Sequence, residues 1–129
     1  TQLGRLIGLY RAYALCFVVE AVGVAASVLS QSVAGVIVAS VFLGGTFMGL
    51  TALGLAAARE AAPADPRRAL ALMTAAFGLG QIIGPSFAGL VHDVTGNFVA
   101  PSLAAAGALL LGAGLAFVVG VRAARAMTG

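Results

Sequence analysis

Four long apolar segments, separated by short polar stretches, dominate the chain. They cover about residues 12–30, 33–58, 69–91 and 98–121. The last three contain no charged residue, and at about 1.5 Å of rise per residue each could cross a hydrocarbon core of about 30 Å as a helix. We therefore predict an all-α, polytopic membrane protein with four transmembrane helices, in which residues 1–129 form a single membrane region.

The arginines predict how these segments are oriented. Threading the four segments through a bilayer places every arginine of the sequence on one side: Arg5, Arg11, Arg59, Arg67, Arg68, Arg122 and Arg125. Short cytoplasmic loops of membrane proteins collect Lys and Arg, so we predict that both termini are cytoplasmic. The abundance of Ala and the use of Arg without Lys indicate a bacterial chain, and hence the inner (plasma) membrane.

Composition supports the lipid bilayer as the main partner. Hydrophobic residues make up 61% of the chain and charged residues 9%. A net charge of +3 would be compatible with nucleic-acid binding, but the arginines flank apolar segments instead of clustering on a soluble face. Contact with anionic lipid head groups explains their positions better. We therefore expect no nucleic-acid partner.

The sequence offers little for catalysis. His92 is the only histidine and Cys16 the only cysteine. The pair His92-Asp93 supplies too few ligands for a metal site and is typical of a solvated helix end. We predict neither enzyme activity, nor a metal, nor a cofactor.

A polar stripe marks the first helix, because its polar and small residues recur at intervals of three and four: Tyr13, Cys16, Glu20, Gly23, Ser27 and Ser30. Such a stripe is expected to face protein or water, and the remaining surface lipid. Glu20 lies near the middle of the membrane, where an ionised carboxylate is costly. It is a candidate proton-coupling residue; the alternative is a buried carboxyl hydrogen-bonded to a neighbouring helix.

The third segment contains the sharpest local motif, Gly-Leu-Gly-Gln-Ile-Ile-Gly-Pro at residues 78–85. Pro85 has no N–H, and its ring clashes with the carbonyl of Gln81, four residues earlier. A kinked point with a carboxamide side chain at mid-membrane is typical of transporter hinges and sites. The alternative is a structural kink with Gln81 bonded across a helix interface.

Other local signals predict where helices begin, end and pack. Asp65-Pro66 is a strong helix start, and Gly96 suits a helix end in the left-handed conformation. The turn around Gln31 is predicted to be tight. The fourth segment contains a ladder of small residues at four-residue spacing, which favours close helix packing: Ala104, Ala108, Gly112, Ala116 and Gly120.

The stretch from Gly80 to Gly96 resembles the penultimate helix of major facilitator superfamily (MFS) transporters, with Gly-Gln-Ile-Ile-Gly-Pro followed by Asp-Val-Thr-Gly. Residues 44–49 and the small-residue ladder resemble the tenth and twelfth helices, and within the superfamily the chain resembles the YbfB/YjiJ-like branch. This resemblance implies helices nine to twelve of the C-terminal six-helix bundle. At Arg5-Leu6 the chain departs from the family's loop pattern, which normally has Asp-Arg there.

The resemblance implies a fragment of a secondary active transporter that moves a small solute by alternating access. Because the chain begins with Thr1, the missing helices of the same transporter are expected as its partners. The candidate residues for the pathway or hinge are Thr46, Gly49, Gln81, Gly84 and Pro85.

Two alternatives remain open from the sequence. One is an autonomous four-span, dimeric, proton-coupled multidrug exporter that would use Glu20. The other is a non-transporting membrane scaffold subunit whose small-residue faces bind partner helices.

Overall fold

The computed structural model describes residues 2–30 and 32–126, which form four α-helices joined by short turns. The helices are α1 (Gln2–Leu29), α2 (Val33–Ala61), α3 (Pro66–Thr95) and α4 (Val99–Ala126). Each contains a stretch long and apolar enough to cross a membrane. The predicted class, an all-α membrane protein with four helices, is confirmed. The predicted turn around Gln31 lies outside the described residues.

The helices are longer than the apolar segments that identify them. Helix α1 begins ten residues before Ala12, and α2 continues through Arg59 and Glu60 to Ala61. A helix satisfies its backbone N–H and C=O groups internally, so it can extend from hydrocarbon into the interface without a break. The polar ends therefore mark the membrane surface, and the helices continue past it.

Side chains and one glycine define helix ends, and at both ends of α3 they are the residues that the sequence predicts. Asp65 accepts a hydrogen bond from the N–H of Arg68 at 3.1 Å, and Pro66 is the first residue of α3. Gly96 has φ of 70° and donates its N–H to the carbonyl of His92 at 2.7 Å. Helix α2 begins after Ser32, whose hydroxyl accepts from the N–H of Gly35 at 3.1 Å.

Helix α1 is the centre of the packing, since it contacts α4 most extensively and α2 next. Small residues permit the close approach to α4. A Cβ added at Gly112 would lie 2.8 Å from Cε1 of Phe17, and one at Gly120 would lie 2.6 Å from Cβ of Tyr10. This end of the predicted small-residue ladder is therefore confirmed as a packing surface.

Helix α3 is the least covered element. It makes fewer contacts with α2 and α4 than α1 does, and none of its residues is buried. Large apolar side chains are also exposed on all four helices, among them Leu15, Met48, Ile82 and Leu111. In a membrane these surfaces face lipid or further helices, because apolar side chains lose nothing in hydrocarbon.

Distant parts of the chain meet at one end of the molecule. We call it the arginine-rich end, because the arginines lie at or near it: Arg5, Arg11, Arg59, Arg67, Arg68, Arg122 and Arg125. Nη2 of Arg5 lies 3.1 Å from Oε1 of Glu60, although 55 positions separate the two residues. Both side chains are exposed, so the ion pair contributes at most about 1 kcal/mol. The ion pair shows that the start of α1 lies beside the end of α2.

Candidate transport site

The polar stripe of α1 faces α2, and we call this contact the α1–α2 seam. From the arginine-rich end, its facing residues are Tyr13 with Gly54, Cys16 with Gly49, Glu20 with Thr46, and Gly23 with Phe42 and Leu43. From one pair to the next, the residue number rises on α1 and falls on α2, because the two helices are antiparallel. For Tyr13, Cys16, Glu20 and Gly23, the prediction that the stripe faces protein or water is confirmed, and what they face is α2.

Glu20 is the buried charged or polar residue of the seam. Its relative exposure is 8%, and its Oε2 atom is buried with no hydrogen-bond partner among the described residues. Arg11, the nearest arginine along α1, is nine residues away, about 13 Å along the helix axis. A buried carboxyl without a cation is expensive to keep charged, because neither water nor an ion pair compensates it.

Thr46 is the polar side chain that meets Glu20 from α2. It makes no hydrogen bond to the buried Oε2 atom of Glu20. Its own hydroxyl donates to the backbone carbonyl of Phe42 at 2.6 Å. A hydroxyl can donate one hydrogen bond and accept two. Since the Thr46 proton is used in the bond to Phe42, its oxygen can still accept a hydrogen bond.

A cleft of about 310 Å³ opens beside the seam, toward the arginine-rich end. Side chains from three helices line it: Tyr13, Leu50, Thr51, Leu55, Met73, Thr74 and Phe77. Thr51 and Thr74 are not among the site residues predicted from the sequence. Both are hydroxyl-bearing residues within long apolar segments, and that pattern could have identified them.

Gln81, Gly84 and Pro85 lie apart from the seam, on exposed positions of α3. A Cβ added at Gly84 would find no atom of the described structure within 4 Å, and the same holds for Gly78 and Gly80. Gly84 borders a shallow cleft between α3 and α4, next to Ala88 and Ala108. Helix α3 continues through Pro85 as one helix.

The five pathway candidates therefore form two groups. Thr46 and Gly49 belong to the seam, where a Cβ at Gly49 would lie 3.6 Å from Sγ of Cys16. Gln81, Gly84 and Pro85 belong to the uncovered face of α3. The described helices do not bring the two groups together.

His92 and Asp93 lie at the end of α3 opposite to the arginines. Nδ1 of His92 is 3.9 Å from Oδ1 of Asp93, and its ring stacks on Phe98 with centroids 4.3 Å apart. Within residues 2–30 and 32–126, no cluster of three or more potential metal ligands occurs.

Four membrane-crossing helices with polar groups held between them define an integral membrane protein. Residues 1–117 match the family described as uncharacterised MFS-type transporter YbfB. The chain therefore belongs to that family of MFS-type transporters, and this membership favours a transporter over an enzyme. No curated protein and no solved structure matches the chain.

Proposed function

We propose that the chain is part of a secondary active transporter that moves a small solute across a bacterial inner membrane by alternating access. In this proposal α1–α4 correspond to helices nine to twelve of the MFS fold, and the missing helices of the same transporter complete the solute pathway. Both termini lie in the cytoplasm, together with the arginines.

The uncovered face of α3 is the observation that carries the proposal. Gln81 and Pro85 are exposed at mid-membrane, and the glycines beside them have open space where a Cβ would be. A carboxamide facing hydrocarbon would lose its hydrogen bonds. It is accommodated if this face borders a water-filled pathway between the chain and further helices of the transporter.

The autonomous exporter receives less support than the family's transporter function. A dimeric four-span exporter would use Glu20 on a surface open to a second copy of the chain. Glu20 is instead buried in the α1–α2 seam. Membership of the MFS-type family also favours a transporter over a scaffold subunit.

Cysteine accessibility tests the proposal without knowledge of the solute. In the protein as cells produce it, Cys16→Ser removes the single thiol of residues 1–129, and any cysteine outside these residues is replaced in the same background. Gln81→Cys then introduces a thiol in the proposed pathway. We expect a membrane-impermeant maleimide to modify the Gln81→Cys variant in oriented vesicles, and to reach it from either side of the membrane.

Leu79→Cys is the matched control. Leu79 is 59% exposed and lies two residues earlier, on the opposite side of α3. Because that side should face lipid, we expect no modification. Equal lack of reaction at both positions would contradict a water-filled pathway along Gln81.

A further inference from the structure

Two clefts follow the contact between α1 and α4. A cleft of about 150 Å³ lies at the arginine-rich end, where Arg11 and Arg125 line it. An open cleft of about 580 Å³ continues toward the middle of the membrane, where Leu15 of α1 and Gly114 of α4 line it. Arg11 and Phe117 line both clefts. The two therefore form one continuous depression, which we call the α1–α4 groove.

The α1–α4 groove has positive charge at one end and no negative charge of its own. No acidic side chain lines either cleft. Helix α4 contains no Asp or Glu, and Glu20, the one acidic residue of α1, lies in the α1–α2 seam. At the arginine-rich end Arg5 is paired with Glu60, whereas Arg11 has no ion-pair partner among the described residues. The groove therefore attracts an anionic ligand.

The length of the groove matches one leaflet of a bilayer. Arg125 and Ala113, which line its two ends on α4, are separated by about 18 Å along the helix axis. Half of the hydrocarbon core measures about 15 Å, with the head groups beyond it. Along the apolar part, Leu15 is 63% exposed, and a Cβ added at Gly114 would find no atom of the described structure within 4 Å. A ligand with an anionic head and one long apolar chain fits these dimensions.

The charge at the arginine-rich end favours a lipid over a further helix as the occupant. Cytoplasmic ends of membrane helices collect Lys and Arg, so in the orientation proposed above a neighbouring helix would bring more positive charge to Arg11 and Arg125. A phosphodiester brings negative charge, and arginine binds phosphate oxygens through two parallel N–H···O bonds. A zwitterionic lipid would add an ammonium group beside the same arginines.

We propose that the α1–α4 groove binds one anionic phospholipid, with its phosphate at Arg11 and Arg125 and one acyl chain along Leu15, Phe117 and Gly114. A defined site differs from the general attraction of arginines to a charged membrane surface, because only the arginines that line the groove matter for it. Arg122 provides the comparison, since it is exposed at the same end of α4 and lines neither cleft.

Photochemical crosslinking locates the lipid. The complete protein is reconstituted in vesicles of dioleoyl phosphatidylcholine that contain a trace of phosphatidylglycerol with a diazirine in one acyl chain. After illumination, fragmentation of the peptides by mass spectrometry should place adducts on residues of the groove. Excess unlabelled phosphatidylglycerol should suppress these adducts, whereas the soluble head group, glycerophosphoglycerol, should not. A phosphatidylcholine probe with the same diazirine should label the groove several-fold less.

Substitutions test the two ends of the groove separately. Arg11→Gln and Arg125→Gln should each lower the adduct yield about fivefold, the effect expected of one arginine near anionic lipid, and Arg122→Gln should leave the yield unchanged. Gly114→Leu fills the apolar part and should also lower the yield. Gly107→Leu is its control, because Gly107 has the same open space around it but lies about 10 Å farther from the arginine-rich end.

Four results would overturn the proposal. Equal labelling of the groove by the two probes would indicate ordinary boundary lipid, and an equal loss in Arg122→Gln and Arg11→Gln would indicate diffuse attraction. Suppression by glycerophosphoglycerol would indicate a site for phosphate without its chains. Parent-like labelling of Gly114→Leu would place the chain elsewhere. No solute enters the experiment and Gln81 is unchanged in it, so its outcome is independent of the transport proposal.

Discussion

Cβ of Tyr10 lies 2.6 Å from the point where a Cβ on Gly120 would stand, so the Tyr10 side chain packs directly on the backbone of α4 at this level. Tyr10 is buried and Gly120 has no side chain to displace it. In a membrane, where lipid is as apolar as a side chain, close van der Waals contact of this kind holds helices together.

Gly120→Ala should therefore destabilise the packing of α1 on α4. The added methyl group meets the Cβ of Tyr10, which cannot move without its backbone. We expect a loss of about 1–3 kcal/mol, the usual cost of overpacking. The measurement is the temperature at which detergent-solubilised protein ceases to elute as a single species.

Gly114→Ala is the control on the same helix. An added Cβ there has no neighbour within 4 Å in the described structure, and alanine favours helix over glycine. The control should melt at the parent temperature or slightly above it. If both alanine variants melt together, the close approach at Gly120 does not stabilise the protein.

The sequence predicted one of the two packed faces of α1 and missed the other. Glu20 and its polar neighbours identified the face toward α2, because polar groups avoid lipid. The face toward α4 contains Tyr10 and Phe17, which pack on glycines. Aromatic side chains are equally suited to lipid, so their periodicity does not show whether a helix or hydrocarbon covers them.

Gly96 should be sensitive to the residue type at the turn between α3 and α4. Its φ of 70° lies in the left-handed region, which costs an L-residue with a Cβ about 1–2 kcal/mol. We expect Gly96→Ala to lower thermal stability by that amount. Gly96→Asn should cost less, because asparagine is the usual substitute in helix caps. Equal melting of the two variants would contradict a strained left-handed cap.

The orientation of the chain can be tested at its two connections. In the Cys16→Ser background, Asp93→Cys places a thiol at a position where the side chain is 80% exposed, on the end opposite to the arginines. Ala64→Cys places one in the exposed turn before α3. On intact cells, an impermeant maleimide should modify only the first variant, and it should modify both after permeabilisation. Modification of Ala64→Cys alone on intact cells would invert the topology.

Gln81 and Pro85 can be identified as candidates from the sequence, but what surrounds them in the folded protein cannot be predicted from it. A proline and a carboxamide inside an apolar helix are visible in any sequence. What covers them depends on the approach of other helices, and the described helices leave them uncovered. Thr51 and Thr74 were missed for a related reason, since a threonine in a membrane helix can satisfy its hydroxyl on its own backbone, as Thr51 does with Phe47 at 3.0 Å.

Pro85 should matter for movement more than for stability. Pro85→Ala supplies the missing N–H to the carbonyl of Gln81 and removes the clash of the ring, so the helix should become stiffer. If α3 bends during alternating access, solute movement should fall in Pro85→Ala, and also in Gln81→Ala, while the amount of protein in the membrane is retained. Leu79→Ala, on the other side of α3, should behave like the parent.

The solute is unidentified, so the measurement compares isotope-labelled metabolite pools in cells that make each variant and in cells that lack the protein. Pools that differ between the parent and cells without the protein define the transported solutes. For those solutes, we expect the pool sizes in cells with Pro85→Ala or Gln81→Ala to lie closer than those of the parent to the pool sizes in cells without the protein. Parent-like pools in both variants, at equal membrane abundance, would show that neither residue takes part in transport. A lower amount of both variants in the membrane, with a normal amount of Leu79→Ala, would show that Gln81 and Pro85 act in folding. A residue that serves packing is needed for the folded protein to accumulate, whereas a residue that serves only movement is not.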